Sequence, residues 1–170
     1  TTGQVVALTT AQIVQGLSTA QLLALETRDV AVLTAAQAAA LTTAQISQGL
    51  STTQVAALST DQVAAFSTSQ VAALTTSEAA TLSAAQAKAL TTAQVQQLST
   101  SNIEALNLNS VKAMTSSQLQ VMTTTQLNAL IAYLEGPQVK AAQTRMAIGK
   151  KAAVVPIDVS PLVAWQDSLK

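Results

Sequence analysis

The chain has 170 residues, with eight Lys or Arg, eight Asp or Glu, no His, no Cys and three aromatics, Phe66, Tyr133 and Trp165. Without His or Cys there is no Ser-His-Asp or Cys-His nucleophile, no imidazole base and no zinc site of the usual nitrogen and sulfur type. A formal net charge of zero leaves no electrostatic footprint for nucleic acid, and no apolar run approaches the roughly 18 residues of a membrane-spanning helix.

From its start the chain repeats itself. Large apolar anchors fall at Leu8, Leu17, Leu25, Leu33, Leu41, Leu50, Leu58, Phe66, Leu74, Leu82, Leu90, Leu98, Leu106, Met114, Met122 and Leu130. The step is eight residues, except for two steps of nine that contain Gly16 and Gly49. The consensus is L-[S/T]-T-x-Q-[V/I/L]-x-A. Residues 1–7 read as the tail of one more unit, as in a processed chain or an excerpt of a longer array.

An eight-residue period suits neither regular structure. On a continuous α-helix the anchor stripe would drift about 80° per unit. A strand would need strict alternation of apolar and polar residues, which the unit lacks. A third reading uses every consensus position. Ser or Thr followed three residues later by Gln is a capping box, in which the hydroxyl accepts from a backbone N–H and the Gln side chain returns to the cap N–H. The cap positions run from Thr9, Ser18, Glu26 and Thr34 through Ser59, Ser67 and Thr75 to Thr115 and Thr123, and only Glu26 lacks good capping chemistry. The anchor before each cap and the branched residue after it form a hydrophobic staple, as in Leu8 with Ile13 or Leu58 with Val63. Each unit therefore encodes the start of a helix, and the next start arrives one unit later. Helices this short are unstable alone. They require burial by neighbouring units, the nearest-neighbour logic of a solenoid, and small residues such as Ala56, Ala64 and Ala72 are expected to let the coils approach.

The pattern ends near Leu130. Residues 131–134 extend the last helix, and Glu135-Gly136-Pro137 stops it. Residues 136–170 differ in kind and carry five basic and two acidic residues, against three and six in residues 1–135. This segment reads as a cap over the final coil or as a docking element, with Val154, Val155, Ile157, Val159 and Trp165 as its apolar residues. The predicted organisation is thus a helical solenoid over 1–135 and a capping or docking segment over 136–170.

Candidate chemistry is sparse. Glu26, Arg28 and Asp29 form the one charge cluster of the array, and helix-start duty accounts for them. There is no glycine-rich phosphate loop, EF-hand-like loop or G-x-S-x-G. No catalytic, cofactor-binding or metal-ligating residue is expected, and the chain does not read as an enzyme. The residue after the cap is Thr in most units, and Thr43, Thr52, Thr60, Thr68 and Thr76 make a candidate surface ladder. Such hydroxyls suit the first turn of a helix and keep a surface soluble without charge. They also offer a face for sugar, ice or another copy of the chain.

The run Leu41-Thr42-Thr43-Ala44-Gln45-Ile46 and copies such as Leu90-Thr91-Thr92-Ala93-Gln94-Val95 resemble the L-T-T-A-Q-[V/I] octapeptide arrays of large bacterial secreted or surface proteins. The resemblance covers about residues 1–130 and implies a stalk or a fibrous, adhesin-like part of an exported protein. The reading is therefore an all-α, elongated solenoid of very short helices with a distinct C-terminal capping segment. Its expected role is that of an extracellular or cell-surface structural protein: a stalk, a spacer or a self-assembling fibre subunit. The alternatives are a binding module using the Thr-rich face and a length-setting spacer of a secretion machine. Expected partners are a second copy, head to tail, or further repeats of the same chain, with neither nucleic acid nor a transmembrane segment. Head-to-tail contact is suggested by an end that should leave Val5 and Leu8 uncovered.

Overall fold

A computed structural model describes residues 1–133. It is all-helical, with α1 (Thr2–Val6), α2 (Thr10–Gly16), α3 (Thr19–Leu23), α4 (Thr27–Ala31) and α5 (Ala35–Ala40) at the start. Then follow α6 (Thr43–Gly49), α7 (Thr52–Ala57), α8 (Thr60–Ala65), α9 (Thr68–Ala72) and α10 (Thr76–Thr81). Next come α11 (Ala84–Ala89), α12 (Thr92–Gln97), α13 (Thr100–Ala105), α14 (Leu108–Ala113) and α15 (Ser116–Gln120). A sixteenth helical run covers 124–133. The C-terminal segment predicted from residue 136 lies outside the described residues.

Each helix begins as the sequence requires. In α8 the Ser59 hydroxyl accepts from the Gln62 N–H at 3.1 Å, and Gln62 Oε1 accepts from the Ser59 N–H at 2.6 Å. The same reciprocal pair recurs from Thr9 with Gln12 to Thr123 with Gln126. Glu26 makes no capping bond. Between most helices the chain takes two extended residues, an anchor and a cap: Leu58 at φ −61°, ψ 140° and Ser59 at φ −72°, ψ 162°. That corner turns the chain without Gly or Pro.

The stacking rule is uniform. Each helix from α1 to α12 packs on the helix three units further on: α1 on α4, α2 on α5, and so on to α12 on α15. From α5 onward, side-chain hydrogen bonds join the helices, α10 excepted, to the one four units back. A turn of the solenoid therefore holds between three and four units, and a helix sits over the junction of two helices in the coil before it. The branched residues and the anchors line the interior: Val55, Leu58, Val63, Phe66, Val71 and Leu74 are all buried.

One expectation is corrected by the stacking. Val5 is only 5% exposed, and Leu8 is half-buried, because the interior follows the solenoid axis and the next coil closes over them. Exposed apolar side chains instead stand on the outside of the first coil, at Val6, Val14, Leu23 and Val32. Of the alanines expected at the close approach, Ala57, Ala64, Ala65 and Ala73 are half-buried, and Ala56 and Ala72 are exposed. A tight contact is made by Gly49, where an added Cβ would lie 3.1 Å from both Thr19 Cα and Leu22 Cδ2. At Gly16, the equivalent position of α2, nothing but the Cβ of its own Gln12, 4.0 Å away, is within reach.

Candidate functional site: the inter-coil amides and the outer threonines

A short helix leaves its first N–H groups and its last carbonyls without intrahelical partners, and with helices of five to seven residues most of the backbone is in that state. From Gln37 onward, the glutamine of a capping box answers both ends at once. Its Oε1 accepts from the cap N–H of its own helix, as seen above. Its Nε2 crosses to the preceding coil. Gln62 Nε2 donates to Val30 O at 3.0 Å and Leu33 O at 2.5 Å, the carbonyls that end α4. Gln70 does the same for α5, through Ala38 O and Leu41 O, and Gln94 for α8, through Val63 O and Phe66 O. The row continues through Gln118 and Gln126.

These glutamines are nearly sealed from water, with 1–4% exposure from Gln37 to Gln126. A primary amide belongs there because the slot demands an acceptor on one side and a donor on the other. The row also absorbs the irregular units. From Gln to the core carbonyl below it the separation is 32 residues for Gln45 and Gln70, which span a nine-residue unit, and 31 for Gln86 and Gln94, which do not. The partner stays the same while the count changes.

Three slots are filled differently and still donate or sit buried. Asn102 reaches Leu74 O at 2.9 Å, and Ser110 Oγ reaches Leu82 O at 2.5 Å with help from Asn107. Asp29 is buried with an Oδ1 that has no hydrogen-bond partner, while Glu26 and Arg28 pair on the surface at 2.6 Å. The fourth departure is Glu78. Its Oε2 accepts from the Thr75 N–H at 2.7 Å and the Thr75 hydroxyl at 2.9 Å. Burial pushes its carboxyl above the usual carboxylate range, against the lowering effect of those two bonds.

The candidate threonines all open helices. Thr43, Thr60, Thr68 and Thr76 are exposed and Thr52 is half-buried. Consecutive members belong to successive faces of the solenoid. The stacking of helices three units apart sorts them into slanting columns. One column carries Thr19, Thr43, Thr68 and Thr92, and a second carries Thr27, Thr52, Thr76 and Thr100. The third is broken, since α5, α11 and α14 open with Ala35, Ala84 and Leu108. The candidate docking residues Val154, Val155, Ile157, Val159 and Trp165 lie outside the described residues. Among the described residues no helix is long and apolar enough to cross a membrane.

A family model for the ALTTAQ repeat matches residues 48–76. The matched span runs from the end of α6 to the start of α10 and supports reading the chain as a repeat-family array. No curated protein matches the chain, and no solved structure does.

Proposed function

We propose that this chain is a non-catalytic structural repeat protein of the bacterial cell exterior, serving as a stalk, spacer or fibre segment that extends by adding coils. The observation that carries the reading is the buried amide row, which joins coil to coil by one repeated bond from Gln37 to Gln126, so that length grows by repetition. In the first coil Gln4, Gln12 and Gln21 make the cap bonds of their buried counterparts and are exposed. Gly16 keeps the clearance that Gly49 uses against α3, with no backbone filling it. Such a face is complementary to the carbonyl-bearing side of another coil of the same kind. Further repeats of the polypeptide or a second copy, head to tail, would meet the same donors. A contact between two copies is heterologous, and it grows a filament unless the rotation closes it into a ring. The hydroxyl-rich, sparsely charged surface fits an exterior role.

Light scattering and electron microscopy of the chain across a concentration series test this. Growing head-to-tail species are expected, and Gly16→Ala should weaken them without loss of helix content. A monomer at all concentrations would reject self-assembly and leave the spacer role. The two threonine columns favour a second reading, a binding module for sugar, ice or a surface. Replacing Thr43, Thr68 and Thr92 by Ser would sharply weaken such binding and leave a spacer unaffected.

A further inference from the structure

We propose that Glu78 is a protonation-dependent latch between two coils: as the neutral acid it donates its one hydrogen to a carbonyl that closes α6, and as the carboxylate it loosens that one step of the stack. The inference is independent of the role proposed above and rests on register. On one side Gln70 of α9 donates to the end of α5, and on the other Gln86 of α11 donates to the end of α7, at Val55 O and Leu58 O. The same offset from α10 points to Ile46 and Leu50 at the end of α6. Glu78 is as buried as those glutamines, at 2% exposure, and its Oε2 takes the cap bonds that their Oε1 takes. By that register we assign its remaining oxygen to the place where they carry a donor nitrogen. A carboxylate there sets negative charge against the negative end of a helix and satisfies no carbonyl. A carboxylic acid carries the hydrogen the slot requires.

The helices α6, α7 and α10 offer no cation to hold the charged form. Neither α6 nor α7 carries a charged residue, and α10 has none besides Glu78. On the other side α13 carries Glu104 and α14 carries Lys112, both exposed. The step also has less apolar burial to hold it closed, because α10 buries Ala79 where α8, α9 and α12 bury Val63, Val71 and Val95. The raised carboxyl of Glu78 fixes the sign. Stability from the neutral form is complete below the unfolded-state value of about 4.5 and is lost as pH rises through the higher folded-state value.

The test compares the wild-type chain with Glu78→Gln from pH 4 to pH 8. The variant restores the consensus amide and should melt about 2–6 °C higher at pH 8, with the difference vanishing near pH 4. The 13C signal of the Glu78 carboxyl should titrate above the ordinary carboxylate range. Gln70→Glu should import the same pH dependence one unit earlier, and Glu104→Gln, on the exposed surface, should not change it. A wild-type and variant difference that is constant with pH, or a Glu78 carboxyl titrating in the ordinary range, overturns the proposal.

Discussion

Gln70 Nε2 donates to the carbonyl oxygen of Leu41 at 2.7 Å, 29 residues earlier in the chain, while its Oε1 accepts from the Ser67 N–H at 2.6 Å. One side chain thus closes the start of its own helix and the end of another. Replacing it by Leu keeps the size but strands a buried N–H and buried carbonyls. We expect Gln70→Leu to cost about 2–4 kcal/mol, measured by urea unfolding. The same substitution at exposed Gln12 should cost less than about 1 kcal/mol.

The two glycines of the nine-residue units should respond with opposite sign. Gly49→Ala forces a methyl against the backbone of Thr19 and should destabilise by about 1–3 kcal/mol. Gly16→Ala meets open space and should stabilise the isolated chain by up to about 1 kcal/mol through helix propensity. Thermal melts of the two variants side by side check this.

Caps are the cheapest place to alter one unit. Ser67→Ala should destabilise by about 1 kcal/mol. Glu26→Ser should do the reverse by about 0.5–1 kcal/mol, since Glu26 does not cap and its pair with Arg28 is 60–70% exposed and worth little. Circular dichroism melts at low protein concentration read both changes.

Much of this was legible because capping is local. Thr42 and Gln45 lie three residues apart, so the pattern alone implied both of their bonds, and with them every helix start from Thr9 to Thr123. The non-capping Glu26 was legible for the same reason. The second task of the glutamine was not, because its partner carbonyl lies a full coil away and the period of eight does not say how many units make a turn. A signal was present: twelve paired positions hold Gln and only position 78 holds Glu. A capping box accepts either, and a helix N-terminus favours the carboxylate. The preference for the amide answered a need for a donor. Burial of Val5 was misjudged on the same account, since it depends on where the next coil closes. The threonines were located correctly as helix openers, but their grouping by every third unit follows from the stacking.

A turn holding between three and four units gives each octapeptide a compass bearing as well as a length. Deleting one unit from a continuous array would draw in whatever the array carries and swing it between a quarter and a third of a revolution. Insertions of single units would therefore be felt as changes of azimuth. Only deletions near a whole number of turns would preserve the facing of attached parts. Selection on the count of repeats in such an array would act on aim as strongly as on reach.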